Sequence, residues 1–197
     1  VSDDTFQIRI FSDDLYNIFP EHQESKMDDF FVQDLCGAKI TIASNKMNQK
    51  QCFDVIGEKS DKKNIIEFLA NFGTQIESSQ FENLRISLGY PKFGNELTED
   101  FNPLEALLID HISFNKGCYI GQEVVARLNT YDKVQRQLVQ ISSNHPIGIG
   151  EIEFEGKTVG IITSAMQNNG IAYVNKRILN ETTQVKYGSL DVEIHPI

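Results

Sequence analysis

The sequence predicts an α+β fold in two parts. An α+β region with helices on one face of a sheet covers residues 1–130, and a small antiparallel β-barrel or sandwich covers 131–197. Two observations carry this reading. Before Asn129–Asp132, strand-like runs are interleaved with helical apolar stripes; after it, six short strand-like runs follow one another with turn signals between them.

In the first part, Phe6-Gln7-Ile8-Arg9-Ile10-Phe11 alternates apolar and polar side chains, the signature of a half-buried strand. Ser12 with Asp13 and Asp14 predicts a cap for a short helix through Leu15, Tyr16, Ile18 and Phe19, which Pro20 would limit or kink. Residues 21–29 are polar and charged, which predicts a solvated helix or loop. Phe30 to Leu35, Lys39 to Ala43 and Phe53 to Gly57 read as strands. Lys62 to Phe72 sets Ile65, Phe68, Leu69 and Phe72 on one helical face, closed by Gly73. Asn83 to Leu88 leads into a loop rich in glycine and proline, Gly89-Tyr90-Pro91 and Phe93-Gly94-Asn95. Leu104, Leu107, Leu108 and Ile112 predict an amphipathic helix over 103–112. The acids near it, Glu96, Glu99, Asp100 and Glu105, read as a solvated loop and helix start.

The second part comprises Val134 to Ser143, Gly150 to Phe154, Lys157 to Thr163, Gly170 to Asn175, Thr183 to Tyr187 and Leu190 to Ile194. Glu155-Gly156, Asn168-Asn169-Gly170 and Tyr187-Gly188-Ser189 mark turns between them.

Composition narrows the function classes. With 197 residues, 40% of them hydrophobic, the chain has enough apolar material for a core and is not a disordered tail. Its net charge is −10 and no segment forms a basic stripe, so nucleic acid is not an expected partner. No apolar run reaches the length of a membrane span. Cys36, Cys52 and Cys118 are widely spaced and odd in number, which predicts a reducing compartment: the cytoplasm, or the mitochondrial matrix in a eukaryote. The four histidines lack metal-ligand spacing, and no metal site is expected.

One stretch concentrates chemistry: Phe114-Asn115-Lys116-Gly117-Cys118-Tyr119-Ile120-Gly121-Gln122-Glu123, running into Val124, Val125 and Leu128. A helix opening near Gly121 or Gln122 presents unpaired amides and positive potential there. Lys116 stands two residues from Cys118. Both features favour a thiolate, so Cys118 is a candidate reactive thiol; the competing reading is a cysteine packed in a tight turn, while Cys36, beside Leu35 at a strand end, and Cys52, ahead of an apolar strand, read as ordinary packing residues. Arg85, the guanidinium of the 85–95 stretch, has the fork needed to hold a ligand carboxylate, against the alternative of an ordinary ion pair.

Lys-Gly-Cys-Tyr-Ile-Gly-Gln-Glu at 116–123 resembles the K-G-C-Y-x-G-Q-E signature of the YgfZ family. Arg85-Ile86-Ser87-Leu88-Gly89-Tyr90-Pro91-Lys92-Phe93-Gly94 resembles its R-x-x-x-G-x-P-x-x-G segment, and Ile162-Thr163-Ser164-Ala165 its G-x-(I/V)-T-S element. These are folate-binding proteins related to the glycine-cleavage aminomethyltransferase and implicated in maintaining iron–sulfur enzymes. The resemblance covers residues 80–175 well and the first third loosely. Against the family's usual length, an N-terminal portion is expected to be missing.

The resemblance implies an aminomethyltransferase-like folate-binding region over 1–130 and a C-terminal antiparallel β-barrel over 131–197. It implies tetrahydrofolate, or a one-carbon derivative, as cofactor and iron–sulfur client enzymes as partners. Cys118 and Lys116 would carry the chemistry. Arg85, Gln122, Glu123 and Arg127 would surround the pteridine or its glutamate tail, although Gln122 as a cap, Glu123 as a dipole complement and Arg127 as a solvated residue are alternatives. The other function considered is a folate-dependent aminomethyltransferase, and a blander one is a folate-binding scaffold in which Cys118 has no chemical role.

Overall fold

The computed structural model describes residues 3–12, 17–19, 30–48, 50–114, 117, 121–130 and 134–197. The chain divides into two compact units, Val1–Gln80 and Phe81–Ile197.

The first unit is an antiparallel sheet of β1 (Thr5–Phe11), β2 (Phe30–Leu35), β3 (Ala38–Met47) and β4 (Lys50–Glu58), in the order β1-β4-β3-β2. The alternation seen at residues 6–11 becomes β1, whose Phe6, Ile8 and Ile10 face inward. With Ile40, Ile42, Phe53 and Val55 they form one apolar face, which Ile65 and Leu69 of α1 (Lys62–Leu69) cover. Phe19, Phe31 and Phe53 meet edge to face inside it, with centroids 5.7–6.4 Å apart. The β2–β3 connection is Cys36-Gly37, with φ of 53° and 79°, a two-residue hairpin turn whose twist matches that of the strands. Cys36, expected from the sequence to be a packing residue, is therefore exposed at a hairpin tip.

On the sheet's other face Arg9 grips Asp54 through both arms of its fork, at 2.6 and 2.7 Å, and Asn45 adds a third bond at 2.9 Å. Burial alone would push the Asp54 carboxyl up, but these bonds and the Arg9 charge outweigh it and hold the group below its ordinary 3.8. A depressed folded-state pKa contributes stability above the unfolded value, and that contribution is lost as pH falls through the folded one. Acid titration of the folded chain is therefore expected to show a loss of stability beginning below about pH 4, and Asp54→Asn to flatten that limb in urea melts taken at pH 3 to 6. An unchanged limb would remove Asp54 as its source.

The second unit is organised by a closed six-stranded barrel, order β10-β5-β8-β7-β6-β9. Its strands are β5 (Arg136–Ser143), β6 (Gly150–Phe154), β7 (Lys157–Met166), β8 (Asn169–Asn175), β9 (Gln184–Tyr187) and β10 (Leu190–Pro196). All six match the runs read from the sequence, and the barrel resolves the alternative of a sandwich. Val139, Ile141, Ile152, Ile162, Ala172, Val174, Val185, Val192 and Ile194 fill its interior. A short α4 (Lys176–Leu179) follows β8, its first turn capped by the Asn175 side chain, which accepts from the Arg177 N–H.

The barrel's outer surface carries a second core. Leu138, Ile171 and Tyr173 pack against Ile86 of α2 (Ser78–Ser87) and Ala106, with Leu97, Phe101 and Leu108 around them. This is why the packing divides the chain near residue 80. The texture change at 130/131 marks instead where the barrel strands begin. The remaining helix, α3 (Gln122–Thr130), opens where the glycine and the apolar stripe placed it.

The helix expected over 103–112 does not form. Leu107 takes φ 60°, its N–H bonds Leu104 O, and the Leu108 N–H bonds Pro103 O. These are the bonds of a left-handed helix stop, closing the helix after one turn; a 3-10 turn at Ile109–His111 follows. Tertiary bonds outweigh the apolar spacing: Leu138 N–H takes Glu105 O, and Arg136 takes the Glu105 carboxylate. Leucine is strained in a conformation that suits glycine. Leu107→Gly is expected to raise stability by about 0.5–1 kcal/mol in thermal unfolding, whereas Leu107→Ala, which keeps the strain, is expected to give no gain.

Candidate functional site

The 85–97 segment is fixed by one buried polar cluster. Arg85 lies in the last turn of α2 and is 2% exposed; Glu96 is fully buried. Arg85 Nε and Nη2 donate to the two oxygens of Glu82 at 3.1 and 2.6 Å. Nη1 donates to Tyr90 O at 2.6 Å and Glu96 Oε2 at 2.9 Å, and Nη2 also reaches Ser164 Oγ at 2.7 Å. All five guanidinium N–H groups are thereby used. Arg85 does have the fork expected of it, but internal acceptors fill that fork and leave no donor for a ligand. The geometry makes it a positioning residue.

Glu96 is the centre of the cluster. Its Oε2 also accepts from the Lys92 N–H at 2.9 Å, and its Oε1 accepts from Thr163 Oγ1 at 2.7 Å and Ser164 Oγ at 2.6 Å. Ser164 in turn accepts from Asn95 Nδ2 at 3.0 Å, which completes its hydroxyl. Neighbouring strand residues ordinarily point to opposite faces. Thr163 and Ser164 reach the same oxygen because β7 is irregular between Ile162 and Ser164: a bulge turns both hydroxyls to one side. Glu82 lies at the solvent edge with Lys92 3.3 Å away. The hydrogen bonds from Arg85 hold its carboxyl below the ordinary range against the opposing pull of burial. Tyr173 donates to Glu96 O at 3.0 Å, and burial, then the Glu96 charge, push its phenol far up. Phe101 stacks on Tyr173 at 3.8 Å, and the Arg136 guanidinium sits 4.9 Å over Phe101.

Glu96 and Glu105, read from the sequence as solvated, are buried carboxylates, while Glu99 and Asp100 are exposed as expected. A signal was present for Glu96: an acid closing a loop dense in glycine and proline, eleven residues after an arginine. The adjacent hydroxyls of Thr163-Ser164, interrupting an apolar strand, were a signal for the bulge.

The other expected site residues stand on α3. Val125 N–H closes the first helical bond on Gly121 O at 3.1 Å, so Gln122 and Glu123 form the opening turn. Gln122 is half-buried, and Glu123 and Arg127 are exposed one turn apart. Gly121, φ 87°, has open space where a side chain would begin. Amides and dipole at this end can take an anion or polarised group, and the Gln122 amide offers both a donor and an acceptor. Cys118 and Lys116 lie outside the described residues. No group of three or more candidate metal-binding side chains occurs among the described residues. A groove of about 300 Å³ on the barrel surface, where Ser142 Oγ meets His195 Nε2 at 2.7 Å, is lined by none of the expected site residues.

The sheet, the barrel and their connecting segment together make an aminomethyltransferase fold. The crystal structure of aminomethyltransferase T of the glycine cleavage system from Bartonella henselae matches 98% of this chain and 59% of its own with a TM-score of 0.75, at 16% identity. No protein-family profile matches the chain. It is 32% identical over 160 residues to a chloroplastic protein of Arabidopsis thaliana that carries a transferase's name, covering 77% of this chain and 37% of that one. It is 31% identical over 126 residues to the tRNA-modifying protein YgfZ of Blochmanniella pennsylvanica, covering 54% and 38%. To an aminomethyltransferase of Caldanaerobacter subterraneus it is 28% identical over 114 residues, covering 53% and 30%. The chain belongs to the family of YgfZ and the aminomethyltransferases. It spans well under half the length of these curated relatives.

Proposed function

We propose that this chain is the tetrahydrofolate-binding and barrel portion of a YgfZ-type protein that assists assembly or repair of iron–sulfur clusters in client enzymes. The carrying observation is the contiguous Lys-Gly-Cys-Tyr-Ile-Gly-Gln-Glu stretch at 116–123 delivering its last two residues onto the opening turn of α3. In this reading Gln122 and Glu123 meet the donor and acceptor edges of the pteridine, and Arg127 pairs with the carboxylates of the glutamate tail. Arg85 acts at one remove, by holding the 85–97 segment in place. Bound tetrahydrofolate supplies a one-carbon acceptor. Cys118 supplies a thiol whose ionisation is favoured by Lys116 and by the helix start four residues on. The expected location is the cytoplasm or an organelle matrix; among the described residues no helix is long and apolar enough to cross a membrane.

The aminomethyltransferase relatives favour a second reading, folate-dependent one-carbon transfer. Ammonia release from an aminomethyl donor in the presence of tetrahydrofolate separates the two.

The test combines binding with complementation. Titration calorimetry on the full-length protein is expected to show tetrahydrofolate binding, weakened about tenfold by Gln122→Ala or Glu123→Ala, the loss of one or two hydrogen bonds. Cys118→Ser is expected to fold normally yet fail to restore iron–sulfur enzyme activity in cells lacking the parent protein. Full rescue would remove Cys118 from the function while leaving folate binding standing. Alkylation near neutral pH is expected to be faster at Cys118 than at the other two thiols, and it must be mapped residue by residue because Cys36 is exposed. Cys52 is fully buried, and burial pushes its thiol up to about 11, so it should stay unmodified.

A further inference from the structure

The barrel is closed unevenly. β5 registers with β8 along its length from Arg136↔Asn175 to Ser142↔Asn169, and β7 with β8 from Gly160↔Val174 to Met166↔Asn169. β5 with β10, β9 with β10 and β6 with β7 are also paired over runs of residues. Between β6 and β9 the register consists of the single pair Glu153↔Lys186. That pair adjoins a register shift between β6 and β7, where Ile152 pairs with Gly160 but Glu153 with Thr158, leaving Val159 of β7 as the extra residue of a bulge. Its side chains add little, because the Lys186 ammonium is taken by Asp191 on β10.

One side chain spans the seam. The Tyr187 ring of β9 lies against the glycines that lead into β6. A Cβ at Gly150 would come within 3.1 Å of Tyr187 Cε2, and one at Gly148 within 3.1 Å of its Oη. Gly150 has φ 155°, a conformation glycine alone adopts readily, so the backbone is shaped to receive the ring. The hydroxyl reaches Ile149 O at only 3.4 Å, so the contact is mainly one of ring on backbone.

We propose that the barrel opens locally at the β6–β9 seam, with Tyr187 as its latch, while the five-strand sheet β9-β10-β5-β8-β7 and the β6–β7 hairpin stay paired. Besides the Tyr187 contact and the interior packing of Ile152 and Val185, opening breaks a single strand pair, whereas separation at any other boundary breaks a run of ladder bonds. It bares the seam-facing edges of both strands together with Ile152 and Val185, each buried in the closed barrel.

Native-state hydrogen exchange on the full chain tests this. Seam-facing amides of Gly150–Phe154 and Gln184–Tyr187 are expected to exchange at least about tenfold faster than those of Leu138–Ile141, as a cooperative local opening requires. Tyr187→Ala is expected to speed the seam a further several-fold and leave β5 amides unchanged, while Tyr187→Phe, which keeps the ring, should stay near the parent. A disulfide between Glu153→Cys and Lys186→Cys is expected to bring seam protection up to that of β5. Equal protection at the seam and in β5, or an equal rise everywhere in Tyr187→Ala, would overturn the proposal. If Tyr187→Ala fails to fold, the disulfide variant decides: no gain in seam protection counts against opening there.

Discussion

Glu96→Ala is expected to lower the stability of the second unit by about 3–5 kcal/mol, the cost of removing one partner from a buried ion pair. The loss of charge is only part of it. Arg85 would keep Glu82, but its Nη1, the Lys92 N–H and the hydroxyls of Thr163 and Ser164 would all lose an acceptor in a space closed to water. Replacing both charges together, Arg85→Met with Glu96→Leu, should recover part of the loss, since a matched apolar pair leaves no charge stranded. Urea melts followed by circular dichroism measure both variants. A loss below about 1 kcal/mol for Glu96→Ala, the size of an ordinary surface pair, would show that water replaces the carboxylate at little cost.

That cluster also shows what the sequence could and could not convey. Arg85 was conspicuous as a cation in a loop dense in glycine, and its fork does hold a carboxylate. The carboxylate proved to be internal, because periodicity and composition are silent on which acceptor a donor finds. Glu96 was hidden for the same reason: an acid among Glu99 and Asp100 looks solvated until the strand that buries it is in place. The six barrel strands were legible because each is set by local alternation and turn residues. The 103–112 helix was misread because the same apolar spacing suits a segment laid across the barrel's outer core. There Glu105 and Leu138 make bonds that a continuous helix would forgo. Cys36 was misplaced because Leu35 beside it is apolar, whereas the Cys-Gly pair is the turn itself. The start of α3 was legible from Gly121 and the stripe behind it.

Gly160→Ala is expected to be the most damaging one-methyl change in the barrel. Gly160 pairs with Val174 on one side and Ile152 on the other, in the middle of β7. A Cβ there would lie 2.3 Å from Tyr173 O and 3.1 Å from both Val174 Cα and Ile152 Cδ1. The nearest atom is backbone in a paired strand, so no rotamer change relieves the clash; β7 and β8 must separate or the bend must relax. Small barrels place glycine at such points because curvature brings a neighbouring backbone too close for a side chain. The expected loss is about 3 kcal/mol or more, the range of overpacking that a core does not absorb. Gly156→Ala in the β6–β7 turn is the control for added strain without a clash: φ is 74° and nothing lies within 4 Å, so its cost should be about 1 kcal/mol. Thermal unfolding of both variants should therefore separate them clearly. Equal shifts in midpoint would mean that β7 yields at Gly160, and that the close approach to Tyr173 is not what fixes the barrel's curvature.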